Sequence, residues 1–254
     1  MKANHIPCAR HLPQSGFSLI EVMIAILITL FMSTALMYIF IGMRNSYKTQ
    51  TQLVLLQDSE RLVQTMSANV IQQAGYYVAP DTITAAAALP ASNITWPNGT
   101  QGTFAAGQPI AGLGNGSGSG ANSDAFSVRY QTASQDGLLN CNGGTNKTGI
   151  NTMYVNTFSV NAANELTCSV GNAAAIPLAS NVGKLTVSYG TDSANAGNVN
   201  GYLDANTITS AALWGKVYTV MISITFLDPT KSTATTPVLM PNPLVLVINL
   251  EGKQ

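Results

Sequence analysis

Charged residues are scarce, making up 9% of the 254 residues, where soluble domains usually carry about a quarter. Asn, Thr, Ser, Ala and Gly take their place. Such a surface is polar with little charge and suits a secreted, turn-rich β domain. It excludes a nucleic-acid interface, which needs clustered Lys and Arg, and the formal net charge is zero. Histidine is confined to His5 and His11. If residues 1–16 are removed, the remainder has none. That eliminates His-based triads, His general bases and His-ligated zinc together. No paired carboxylates flank a recognisable cleft pattern and no phosphate-cradling loop follows a strand, so the sequence reads as a non-enzyme with no cofactor and no metal. Cysteine occurs three times, at Cys8, Cys141 and Cys168. Proline is missing from Gln14 through Ala79.

The proline-free stretch opens on a long apolar run. Residues 1–16 are polar to weakly basic, with Lys2 and Arg10 and no apolar core. Residues 17–43 then carry one charge, Glu21, and are long enough to span a bilayer as a helix. A secretory signal puts its apolar core before a small-residue cleavage site. Here the candidate site, Gly16-Phe17, precedes the apolar run, so cleavage would leave the whole span in place. Beyond it, Leu53, Leu56, Val63, Met66, Val70 and Ala74 recur at spacings of three, four or seven, the pattern of an amphipathic helix. Gly75 is a candidate stop, followed by Pro80. A helix over 17–74 would be about 87 Å long at 1.5 Å per residue.

Glu21 is the anomaly of the run. A carboxylate at the centre of a membrane helix costs about 2.5–3.5 kcal/mol, less near an end. One reading is a helix-terminal charge that snorkels or is favoured by the helix dipole. The other needs a partner: a new α-amino group at Phe17, one turn away, in the same copy or a neighbouring one. Such a pairing would set axial register in a helix bundle. Lys2 and Arg10 flank one end of the span, and Arg44 and Lys48 the other, so the positive-inside rule barely orients it.

Downstream, residues 78–122 are rich in Ala, Pro, Asn, Gly and Thr, with low complexity over Gly114–Gly120. Alternating strands follow: Phe126, Val128 and Tyr130; Met153–Val160; Leu166–Val170; Leu185, Val187 and Tyr189; Val220, Ile222, Ile224 and Phe226; and Leu244–Leu250. These argue an antiparallel sheet with one face on the amphipathic helix. The expected fold is therefore α+β, with a long N-terminal helix packed on one antiparallel β head. Gly190–Asn206 is oxygen-rich, with Asp192, Asp204, Asn195, Asn198 and Asn200. Calcium-loop spacing is absent, so it reads as a solvated turn, with calcium as the alternative.

Gly16 followed by FSLIEVMIAILI closely resembles the class III signal of type IV prepilins and type II secretion pseudopilins. The matching positions are Gly16, Phe17 and Glu21. The resemblance implies that a prepilin peptidase cuts after Gly16 and methylates Phe17. It also orients the chain in the bacterial inner membrane, with residues 1–16 a cytoplasmic leader and the head periplasmic before it reaches the pilus. Residues 17–43 are then the transmembrane half of the helix, 44–75 its amphipathic half and 76–254 a β-rich head. The head resembles the PilW group of minor pilins, through Gln73–Tyr76, Asp124–Gln131, Cys141, Glu165–Cys168, Ser180–Asp192 and Trp214–Leu227. That implies a structural subunit that primes pilus assembly in the initiating or tip complex, beside other minor pilins, the major pilin and a large tip adhesin. A minor pseudopilin of a type II secretion system is the alternative. Without the leader, nine basic residues face eleven acidic ones, a net charge of −2, and the basic ones are scattered, so no nucleic-acid contact is expected. Cys8 leaves with the leader. Cys141 and Cys168 are then the pair for a disulfide in an oxidising compartment, with free thiols or an intermolecular bond as alternatives.

Overall fold

The computed structural model describes residues 16–114, 122–194, 197–233 and 236–250. The leader residues before Gly16, Cys8 among them, most of the Gly114–Gly120 stretch and Asn195 lie outside the described residues. Helix α1 runs Leu19–Gln72, two residues shorter at each end than the sequence pattern suggests. The chain divides into a unit ending at Thr51 and one beginning at Gln52.

In the first unit α1 has no inside. Every residue from Gly16 to Met43 is exposed. The apolar side chains surround the helix rather than forming a stripe, the composition of a span in lipid or of a helix packed on all sides. The few hydroxyls turn back on the backbone. Thr29 Oγ1 donates to the Ala25 carbonyl at 2.8 Å and Ser33 Oγ to that of Thr29 at 2.7 Å. Such back-bonding satisfies polar groups where no water is present.

The second unit begins with the amphipathic part of α1. Leu56, Val63, Ser67, Val70 and Ile71 are buried, as is Ala74. Leu53, expected on this stripe, is 41% exposed. Gly75 ends the helix at φ +85°, a left-handed conformation glycine adopts without strain.

The segment after α1, illegible in the sequence, is structured. It contains α2 (Ala85–Ala88), a hairpin of β1 (Ser92–Thr95) and β2 (Gln101–Phe104), and β3 (Ile110–Leu113). The remaining elements are β4 (Ala125–Thr132), β5 (Thr152–Val160), β6 (Leu166–Val170), β7 (Ile176–Ala179), β8 (Val182–Thr191), β9 (Gly201–Leu203), α3 (Ala205–Ser210), a 3-10 turn at Trp214–Lys216, β10 (Val217–Phe226) and β11 (Leu244–Asn249). The strands do not form the one sheet expected from their alternation. They form three antiparallel sheets, ordered β1-β2, β11-β10-β8-β9 and β3-β4-β5-β6-β7.

One core joins the buried face of α1 to Phe126, Val128, Tyr130 and Phe158 of the five-stranded sheet and to Leu185, Tyr189, Ile222 and Ile224 of the four-stranded one. Phe126 stacks on its cross-strand partner Phe158 at 4.8 Å. A second, smaller core lies on the other face of β4, formed by Ile94, Trp96, Phe104, Ala111 and Ala125. This is why β4 is buried on both faces despite its alternating sequence. Gly112 on β3, opposite Phe126, faces the first core: a Cβ there would fall 1.9 Å from the Tyr189 hydroxyl oxygen.

Candidate functional site

The N-terminal site is built from the first turns of α1. Gly16, Phe17 and Ser18 precede the helix, whose first bonds run from the Glu21 and Val22 amides to the Ser18 carbonyl at 3.0 and 3.2 Å. Phe17 is 82% exposed. Phe17, Glu21, Ala25 and Thr29, with Val22 and Ile26, line one shallow groove of about 430 Å³. Residues four apart share a helix face, so Phe17 and Glu21 lie on the same side with the small Ala25 below them. The Glu21 carboxylate has no hydrogen-bond or ion-pair partner among the described residues.

The head carries its own chemistry. Cys141 and Cys168 are joined as a disulfide with Cα atoms 6.3 Å apart, and both are fully buried. Cys168 lies on β6 opposite Phe158, and the Cys141 amide donates to Asn156 Oδ1 at 2.9 Å. The bond therefore ties the loop after β4 to β6, the strand beside the edge strand β7.

The oxygen-rich stretch serves its own backbone. Asp192 accepts from the Gly197 amide at 2.8 Å. Asp204 caps α3, accepting from the Thr207 amide at 2.9 Å and its hydroxyl at 3.0 Å. Those bonds hold its carboxyl below the usual carboxylate range. Among the described residues no three His, Cys, Asp or Glu side chains group as metal ligands.

Arg129, unremarked in the sequence, is the head's most unusual side chain. It is fully buried on β4. Nε donates to the Gln108 carbonyl at 2.7 Å. Nη1 donates to the Pro90 carbonyl at 2.5 Å and Ser92 Oγ at 3.2 Å. Nη2 donates to the carbonyls of Leu89 at 3.2 Å and Ala105 at 2.6 Å. All five guanidinium donors thus have acceptors, and the group lies 4.5 Å from the Phe104 ring centre. Burial pushes its pKa down to about 10, so it stays charged at neutral pH. The only legible signal was a charge out of phase with Phe126, Val128 and Tyr130, which alternation would place outside.

Comparison with known families now bears on both ends. Residues 12–37 match the prokaryotic N-terminal methylation motif. Residues 142–240 match the family described as Type IV Pilus-assembly protein W. The chain matches the type IV minor pilins of the PilW group. No curated protein matches it. The minor-pilin match covers the strands from β5 to β10 and the loop holding Cys141's neighbour Asn142, and leaves Gln73–Gln131 outside. The match to a pilin family suggests a structural subunit, and the apolar α1, long enough to cross a membrane, fits inner-membrane anchoring.

Proposed function

We propose that this minor pilin primes pilus assembly and sits in the initiating complex at the filament tip. A prepilin peptidase removes residues 1–16 after Gly16 and methylates Phe17. Residues 17–43 hold the processed chain in the inner membrane with the head in the periplasm, and 44–75 are the amphipathic half of the helix. Other minor pilins and the major pilin then pack on the apolar surface of α1, and the assembled tip carries a large adhesin to the cell surface.

The observation that carries this reading is the lone Glu21 carboxylate on the same face as Phe17. A carboxylate left without a partner in an apolar bundle is strongly unfavourable. The Phe17 ammonium, from this chain or a neighbour, is the cation chemically suited to it. The pair then fixes how far one helix slides along the next.

Glu21→Val separates assembly from anchoring. Removing a carboxylate from a membrane helix leaves insertion unchanged or improved. The expected result is normal protein level, membrane location and cleavage, with piliation near that of a deletion strain and loss of co-purified minor pilins. Wild-type pilus counts and pull-downs would show that Glu21 does not set register. Mass spectrometry of the purified protein is expected to give a methylated Phe17 start. An intact Met1 in a strain with active peptidase contradicts the processing step.

A further inference from the structure

The apolar run of α1 ends in a pair of cations. Residues 22–43 carry no charge, and Arg44 and Lys48 follow, both exposed. Residues four apart share a helix face, so the two stand one turn apart on one side of α1. Neither has a carboxylate partner among the described residues. The helix itself supplies none within reach, because the sequence has no Asp or Glu between Glu21 and Asp58.

Two further observations bear on what the pair meets. The first is its level. From its start at Leu19 to Arg44 the helix rises about 38 Å at 1.5 Å per residue. That exceeds the roughly 30 Å of a hydrocarbon core and stays within the roughly 40–45 Å that includes both headgroup layers. With the helix start in one headgroup layer, the pair lies in the other. Side chains on a helix also lean toward its N-terminus, so the charged ends fall back over the last apolar turn. The second is the company the pair keeps. Tyr38 and Tyr47 lie on either side of Arg44 in the chain and are 82% and 72% exposed. Exposed tyrosine at the end of an apolar span is the residue of membrane–water interfaces.

We propose that Arg44 and Lys48 clamp the phosphates of phospholipid headgroups in the periplasmic leaflet, a proposal that rests on the membrane-anchoring reading above. Charge complementarity selects an anion, and the level of the pair selects the anion found there. Headgroups surround the helix as soon as it inserts, whereas a carboxylate of another subunit has to be brought to the same height. The planar guanidinium of arginine binds phosphate through two parallel bonds, and lysine adds a point charge beside it. The clamp fixes the depth of α1. It thereby fixes the level of Glu21, about 35 Å away along the helix axis.

The test uses the full chain with isotope-labelled arginine and lysine side-chain nitrogens. It is reconstituted in vesicles of phosphatidylethanolamine and phosphatidylglycerol, or in phosphate-free galactolipid vesicles. Alkaline extraction reads anchoring, and solid-state dephasing of the nitrogens by phosphorus reads the clamp. The chain is expected to resist extraction from both vesicles and to show dephasing of both residue types in the phospholipid ones. Arg44→Gln is expected to lower the arginine signal and Lys48→Gln the lysine signal, with extraction unchanged. Arg61→Gln and Lys147→Gln are expected to leave both signals as they are. Galactolipid vesicles with added inorganic phosphate are expected to give no signal that depends on Arg44 or Lys48. Such a signal would show a site for free phosphate and overturn the lipid assignment. The clamp is also overturned if the phospholipid signals are unchanged by Arg44→Gln and Lys48→Gln, or absent from an unaltered chain that resists extraction. A chain released by alkali overturns the anchoring reading and the clamp with it.

Discussion

Two charged side chains sit where a charge is unfavourable, and the chain treats them differently. Arg129 is enclosed by the head and meets five acceptors there, four of them backbone carbonyls. Glu21 stands among exposed apolar residues of α1 and meets none among the described residues. The head satisfies its charge internally, as a domain that folds around its own core must. The N-terminal segment leaves both its apolar surface and its charge open. That exposed apolar surface fits anchoring in a membrane.

The largest expected effect tests the self-sufficient side. Arg129→Ala removes the guanidinium and its five hydrogen bonds; the Leu89 and Ala105 carbonyls keep the Gly107 and Gln108 amides as donors, while the Gln108 and Pro90 carbonyls lose Arg129. Breaking a buried charged network by removing one member typically costs about 3–5 kcal/mol. Arg129→Lys, with three donors and no planar fork, is expected to recover only part of that. Thermal unfolding of the purified chain measures both, and an Arg129→Ala protein of unchanged stability would break the contrast.

A second comparison holds exposure nearly constant and changes only the region. Ile28 on α1 is 50% exposed and Tyr218 on β10 is 43% exposed. Ile28→Lys is expected to impair membrane integration by about 3 kcal/mol. Tyr218→Lys faces water and should change stability by about 0.5 kcal/mol or less. Membrane fractionation reads the first and unfolding the second. Equal tolerance at both positions would mean that α1 does not live in lipid.

The smallest effect concerns two tyrosines inside the head. The Tyr130 hydroxyl donates to the Leu139 carbonyl at 2.6 Å. The Tyr189 hydroxyl is buried with no partner among the described residues. Burial pushes both phenols up, so neither ionises at neutral pH. Tyr130→Phe is expected to destabilise by about 1 kcal/mol, whereas Tyr189→Phe is neutral or slightly stabilising, since it removes an unsatisfied group. The opposite order in denaturant midpoints would contradict these assignments.

What was legible in the sequence was local. The N-terminal methylation motif lies within residues 12–37, and β8 and β10 alternate cleanly because one of their faces meets the core. The disulfide was readable because two cysteines remain once Cys8 is set aside. The structured segment from α2 to β3 was hidden for the opposite reason. Its strands are four residues long, too short for a period to register. They are held by contacts to β4 far along the chain. Three sheets rather than one were equally hidden, since alternation reports that a strand has a buried face and not which sheet it joins. Arg129 broke the rule that a charge out of phase with an apolar stripe faces water. The second core on the far face of β4 encloses it.

Arg129 also affects how the head breathes. Ordinary surface hairpins fray bond by bond, each amide exchanging at its own rate. Here the carbonyls of Leu89, Pro90, Ala105 and Gln108 converge on one side chain. The segment cannot lift without exposing that buried cation. The ladder amides of β1 to β3 should then exchange with those of β4, in a single cooperative opening.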